Sequence, residues 1–326
     1  LTGLYSRAAD IGTTSIIGYH EERDAQIADT RLSFVARQLV FGSASAKHQF
    51  PEANGPELEY GVGLSRATRA QPDFRGAVYQ RSRGADGATT WSFEDDSSSG
   101  LHFDSNQGET SVSAKLDLRL PLTQQPEQVA LAAGAMVDLR ERTFQARRLR
   151  FRVPGGTSCP GESYPLDCPD RVFTDDRLAT GELDLEENTR QNDGYDASLS
   201  VTGSYLMVDT RPIDTLRFTI GPRVEVSNQS ISPFNPVARD ERAELEGFRE
   251  FDDLAILPAA LVTYTPLPKT NLRLAATRTI ARPQLRELAP FQFADFFGDR
   301  EVRGNPELVN TSITNVISSL ASDISG

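Results

Sequence analysis

"TSVSAKLDLRLPL", residues 110–122, sets Val112, Ala114, Leu116, Leu118, Leu120 and Leu122 against Ser111, Ser113, Lys115, Asp117 and Arg119. Side chains of an extended strand point to opposite faces in turn, so this run has one apolar and one fully charged face. The same habit recurs in "PELEYGVGLSRATRAQP", where Leu58, Tyr60, Val62 and Leu64 alternate with Glu59, Gly61, Gly63 and Ser65. It recurs again in "TLRFTIGPRVEVS", with Leu216, Phe218, Ile220, Val224 and Val226 against Arg217, Thr219, Arg223 and Glu225. One strand of this kind proves little, because a strand covering a soluble core also has a polar face. Many strands with charges of both signs on the polar face say more.

The links between strands fall into two alternating kinds. Short ones lie at "PEANGP" near residue 51, "LTQQPEQ" near 122, "RPID" near 211 and "PLPKT" near 266. Long ones run from Gln71 to Glu109, Arg152 to Asn192, Ser227 to Asp253 and Arg282 to Asn310, well beyond the usual ~4–6 residues. Short turns on one edge and long, acidic, Gly- and Ser-rich loops on the other predict an all-β, antiparallel, up-and-down transmembrane β-barrel. The pattern yields about ten strands, hence a partial barrel with long extracellular loops. Several strands, such as 31–50 and 128–150, exceed the ~9–11 residues of a tilted crossing and should project past the membrane as a rim.

Composition agrees with a wet interior. Only 38% of the 326 residues are hydrophobic, below the ~45–50% of globular chains. The net charge of −12 leaves no basic face for phosphates, which excludes a nucleic-acid partner. No apolar run is long enough for a membrane helix. Aromatics are 8% with a single tryptophan, Trp91, so interfacial girdles are thin; Tyr5, Tyr19, Tyr60, Tyr205 and Tyr264 are the candidates to supply them.

Chemistry-bearing residues are sparse. His20, His48 and His102 lie far apart in sequence, and no metal site, cofactor site, phosphate loop or nucleophile motif is present, so no enzyme is expected. Cys159 and Cys168, among glycines, prolines and acids, are either a disulfide closing an exposed loop, which implies an oxidising compartment, or two free thiols. "RRLR", residues 147–150, is either a solvated strand end or a contact for lipopolysaccharide phosphates. Acid clusters at Glu94–Asp96, Asp175–Asp176 and Glu182–Glu187 match no calcium loop and read as solvated.

In "NLRLAATRTIARPQLRELAPF", residues 271–291, a strand runs without a tight turn into a charged segment carrying Pro283. Together with Leu257–Pro258 and with Gly304-Asn305-Pro306-Glu307-Leu308, this stretch resembles the later barrel strands of TonB-dependent receptors. "TGLYSRAAD", "TRLSFVARQLVFG" and "GYDASLSVTGSYLMVDTRP" are similar to preceding strands of the same barrel. The resemblance implies an outer-membrane importer of Gram-negative bacteria: a 22-stranded barrel around a plug, taking up a siderophore, cobalamin or carbohydrate with energy from the TonB complex. Residues 1–326 are then a fragment of the barrel domain, without plug or final aromatic strand, amid outer-membrane lipid and lipopolysaccharide. Arg278, Arg282, Arg286 and Glu287 either solvate the loop or face inward against the plug or an anionic ligand. The rival reading is a structural or adhesive outer-membrane β-protein whose acidic loops bind a surface partner without transport.

Overall fold

The computed structural model describes residues 1–50, 55–96, 99–123, 129–238, 248–294 and 301–322. Ten long strands form one antiparallel meander: β1 (Thr2–His20), β2 (Ala25–Gln49), β3 (Glu57–Arg83), β5 (Leu101–Pro121), β6 (Val129–Arg152), β9 (Gly194–Ile213), β10 (Leu216–Phe234), β11 (Arg249–Leu267), β12 (Thr270–Ala281) and β15 (Thr311–Ser322). Each pairs with the one before and after it, and β1 and β15 are the two edges of an open sheet. Short pieces decorate the loops: β4 (Thr89–Phe93), β7 (Ser158–Pro160), α1 (Cys168–Val172), α2 (Asp175–Ala179), β8 (Asp184–Glu187), α3 (Leu285–Leu288), β13 (Gln292–Ala294) and β14 (Glu301–Arg303).

Turn chemistry follows the two-edged pattern. Asp214–Thr215 joins β9 to β10, and Pro268–Lys269 joins β11 to β12, with Lys269 left-handed at φ 72°. The expected short links at 51–54 and 124–128 lie outside the described residues, as does 239–247 of one long link. The loop edge also carries one short connection that the sequence reading did not separate. There a 3-10 turn, Glu21–Arg23, and left-handed Asp24 join β1 to β2. Two of the long links are shorter than expected, because β3 continues to Arg83 and β10 to Phe234. Their upper parts lack clean apolar alternation, so periodicity alone did not mark them as strand.

The two faces have different solvents. On the outer face the alternating positions are apolar from Val112 to Leu122, Val129 to Leu139, Leu216 to Val226 and Leu254 to Tyr264. Each run has the ~9–11 residues a tilted crossing requires. Toward the loops the same face turns polar, with Thr110, Asn106 and Asp104 on β5, and Glu141, Thr143 and Gln145 on β6. Asn228 and Ser230 do the same on β10, and Asp252 and Glu250 on β11. Leu116, Ile220, Leu254 and Ile256 stand about half exposed on this face, an arrangement that only lipid makes favourable.

The inner face neutralises its own charges. The Lys115 ammonium donates to Glu59, the Tyr205 hydroxyl donates to Asp117 at 2.7 Å, Arg217 Nε donates to Asp209 at 2.8 Å, and Arg223 Nε donates to Glu225 at 2.6 Å. Tyr205 is therefore a lumen residue and not part of an interfacial girdle, whereas Tyr5, Tyr60 and Tyr264 lie on the outer face. Tyr19 sits at the loop edge with its hydroxyl on Asp24. Trp91 leaves the girdle altogether, being buried among the loops.

To reach Asp117, the Tyr205 ring crosses Gly134 on the intervening strand. A Cβ there would lie 2.4 Å from the ring and 2.5 Å from the carboxylate. Gly134→Leu is expected to displace Tyr205 and cost about 1–3 kcal/mol. The heat-modifiability midpoint of the detergent-solubilised protein on gels should fall, while Gly108→Leu, where a Cβ meets nothing within 4 Å, should leave it unchanged.

Candidate functional site: the inner-loop assembly

Both apolar clusters lie at the loop end, not along the sheet. One gathers Tyr79, Trp91, Phe93, Tyr164, Val172 and Leu183 beneath the loop that runs from 153 to 193. Trp91 meets Tyr164 edge-on at 5.5 Å, and the Thr30 hydroxyl donates to the Tyr164 oxygen at 3.3 Å. Cys159 and Cys168 are joined within this cluster, with Cα atoms 5.9 Å apart, and both are buried. By loop length, that bond adds about 2–3 kcal/mol to the cap's order.

The second cluster answers why β12 has no tight turn. The strand stops at Ala281, and residues 282–291 fold inward onto the wall formed by β6, β9 and β10. Leu285, Leu288, Ala289 and Phe291 bury themselves against Phe144, Tyr195, Ala197 and Ile231. The helical turn α3 closes on itself through a capping box, in which Glu287 accepts from the Gln284 backbone at 2.8 Å. Gln229 donates to the Pro283 carbonyl at 3.0 Å.

The two motifs quoted from the sequence meet here. Gly304 lies against the end of α3, where a Cβ would stand 2.0 Å from the Ala289 carbonyl oxygen, so no other residue fits. The Asn305 amide donates to the Glu287 carbonyl at 2.6 Å. Arg249 donates to the carbonyls of Pro306 and Leu308, the latter at 3.1 Å. From the other loop, Asn192 donates to the Pro290 carbonyl at 2.9 Å. Arg148 donates to Asp193 at 2.7 Å and to the Gln292 carbonyl at 2.6 Å, and its guanidinium stands 5.0 Å over Phe103 and 5.2 Å over Phe291.

The sequence-derived candidates separate. Arg282 turns inward, 2.8 Å from Glu225 and 3.2 Å from the Ser227 hydroxyl. Arg286 sits on α3 within electrostatic reach of Arg69 and Tyr195. Glu287 builds the helix cap. Arg278 alternates with Leu274 and Ala276 on the outer face and donates to Ser312 at 2.6 Å. The four residues thus do not converge, because strand periodicity puts Arg278 on the opposite side of the wall from Arg282.

Several basic and acidic residues of the loops pair with each other while remaining partly exposed to solvent. Arg147 pairs with Glu187 at 2.8 Å, Arg150 with Asp95 at 2.8 Å and Arg152 with Glu186 at 2.9 Å, while Arg23 reaches Asp96 at 2.8 Å. His102 lies 3.3 Å from both Asp73 and Asp104 at the bulge of β3, and His48 stacks on Tyr60. Arg148, with its clamp on a fully buried Asp193, is the residue the sequence reading did not single out beyond its basic run. No local signal marks it, since its partners lie about 45 and 144 positions away.

Arg148→Ala leaves the Asp193 carboxylate buried and unpaired, which costs about 3–5 kcal/mol. Amide exchange over residues 285–292 and 301–308 is expected to accelerate strongly, while exchange in the membrane-level part of β5 stays unchanged. Burial pushes the Tyr164 phenol above its ordinary value of 10.0. A folded-state value above the unfolded one gives stability that is complete below about pH 10 and lost as pH rises toward the folded value. Emission of Trp91, the sole tryptophan, should therefore shift to the red above about pH 10. Tyr164→Phe should diminish that phase without abolishing it, because burial also pushes up the phenol of Tyr79, which packs on Tyr164 in the same cluster.

The family pattern described as TonB dependent receptor-like, beta-barrel matches residues 12–315. Among solved structures, the chain is similar to the alcaligin outer membrane receptor FauA from Bordetella pertussis, at 13% identity and TM-score 0.38, covering 87% of this chain and 43% of that one. It is similar to the ferric citrate transporter FecA in its unliganded form, at 12% identity and TM-score 0.35, covering 85% and 39%. It is also similar to the copper transporter OprC, at 11% identity and TM-score 0.40, covering 98% and 50%. The chain spans half or less of the length of these structures, and no curated protein sequence matches it. The assignment rests on the family pattern, which takes in nearly all of the wall and the inner loop: the chain belongs to the TonB-dependent receptor β-barrel family of the Gram-negative outer membrane.

Proposed function

We propose that this chain forms the wall and inner loop of an outer-membrane importer, which binds a scarce ligand at its loop end and passes it through a plugged barrel with energy from the TonB complex. The observation that carries this reading is the pair of loop segments 282–294 and 301–308, of which 282–291 fold onto the inner wall and the rest are tethered with them by Arg148, Asn192 and Arg249. A loop held within the lumen narrows the entrance and offers side chains to whatever enters. A siderophore, a cobalamin or a carbohydrate is the ligand class. No side chain performs a reaction on it.

The adhesive alternative draws less support. It needs acidic loops free to bind a surface, yet Asp95, Asp96, Glu186 and Glu187 are engaged by arginines of the same chain. Gly304→Leu tests the importer reading by driving the inner loop off α3. A strain carrying the full gene should grow on one limiting ferric siderophore, cobalamin or oligosaccharide only with TonB intact. The variant should lose that growth while still reaching the outer membrane. Growth that ignores both TonB and the substitution would end the importer reading.

A further inference from the structure

The wall comes apart between β11 and β12. Pro258 of β11 lies in the apolar band and faces a second proline, Pro222 of β10. Neither has an N–H to give to a neighbouring strand. The ladder between β11 and β12 rises from Leu267–Thr270 and ends at Ala259–Thr277, immediately below Pro258. Both strands run on, β11 to Arg249 and β12 to Ala281, each still in register with its other neighbour, β10 or β15. Among the described residues, no registered pair joins them above Ala259–Thr277. Side chains bridge the parting at its top: Asn310 donates to Asp253 at 2.8 Å, and Arg249 donates to the carbonyls of Pro306 and Leu308. Between these limits lies a seam at membrane level, where lipid gives unpaired backbone no partner.

The surfaces on both sides of the seam are apolar. Leu254 and Ile256 stand exposed on the outer face. On the inner face, where β3, β5 and β10 carry ion pairs, Leu261 lies in one row with Ala275 and Ile317, and Ile317 is 61% exposed. Leu257 and Ile313 extend that inner surface toward the loops. An apolar path therefore runs from the lipid side to the lumen across the seam. Arg278, the first residue of β12 above the last pair, stands exposed beside it on the outer face. Among the described residues its acceptor is the neutral Ser312 hydroxyl, at 2.6 Å, and no carboxylate neutralises it.

We propose that this seam is a lateral opening through which a single-chain amphiphile with an anionic head, such as an alkyl phosphate, passes between the outer leaflet and the lumen. Two strands without a ladder between them separate at the expense of side-chain contacts and not of backbone hydrogen bonds. The apolar chain then has leucine and isoleucine on either side of the wall, while its head pairs with the Arg278 guanidinium at the membrane surface. Opening of the seam goes beyond the importer reading and does not rest on it, since entry of an amphiphile from the bilayer needs no TonB.

The test is photolabelling of the purified full-length protein in nanodiscs of phosphatidylethanolamine and phosphatidylglycerol. The probe is a dodecyl phosphate carrying a terminal diazirine, placed in the bilayer beforehand, and its insertion sites are read by peptide mass spectrometry. Label on inner-face Leu261 and Ile317 is expected beside the label that lipid contact gives outer-face Leu116. Pro258→Val restores a donor at the seam and should lower the inner label about two- to tenfold, the weight of one net backbone hydrogen bond, with Leu116 unchanged. Arg278→Gln should lower the inner label from the phosphate probe to a similar extent, but not the label from a neutral dodecyl glucoside with the same diazirine. Arg66→Gln, at an exposed outer-face arginine of β3, should change neither. If Pro258→Val fails to fold, Arg278→Gln alone decides. Label confined to the outer face, which means that protein covers the inner row, overturns the opening whatever the uptake experiments give. Inner label that ignores both substitutions overturns it too.

Discussion

Lipid offers the backbone no hydrogen-bonding partner, and everything in this structure answers to that fact. Each N–H and C=O at membrane level must be met by a neighbouring strand. That requires long strands paired antiparallel with their neighbours, as nine successive pairings provide here from β1 to β15, with the register shifting only at a few bulges. It also removes the usual reason for a core. With lipid on one face and water on the other, side chains at membrane level need not be hidden from water by packing against a second layer. The middle of the wall is therefore a single sheet with charged pairs inside and leucine, isoleucine and valine outside.

Close packing returns where the membrane ends. Both apolar clusters sit among the loops, and each uses aromatic rings contributed by strands and by loop segments far apart in sequence. Long loops carry many backbone polar groups and much conformational freedom. They become ordered because Trp91, Tyr164, Leu285 and Phe291 bury large apolar area, and because opposite charges from separate loops meet. The covalent link at Cys159 and Cys168 restricts the first of these loops further. The second is held by hydrogen bonds to its own carbonyls, from Asn192, Arg148, Arg249 and the Asn305 amide.

Glycine has two different uses in this arrangement. At Gly134 it leaves a channel through which a tyrosine on one strand reaches an aspartate two strands away, so the wall gains a bond that runs across three strands. At Gly304 it lets backbone approach backbone, which is how the second family motif locks onto the first. Neither glycine is left-handed, so it is the missing Cβ that matters in both places and not conformational freedom.

Period-two alternation made the strands, their two faces and the alternation of short and long links legible without coordinates, because the two solvents act on each side chain separately and locally. The same regularity placed Leu116 and Lys115 on opposite faces from sequence alone. It could not place the loop ends of β3 and β10, where both faces meet protein or water and the apolar signal fades. Nor could it tell that Tyr205 faces the lumen, that Trp91 is buried, or that residues 282–291 fold inward and not up. Those outcomes depend on partners such as Asp117, Tyr164 and Ile231, which chain topology brings close although sequence does not. Arg148 and Asp193 belong to the same class. Their energies are set by which charge stands opposite, and strand register decides that only when the whole sheet has formed.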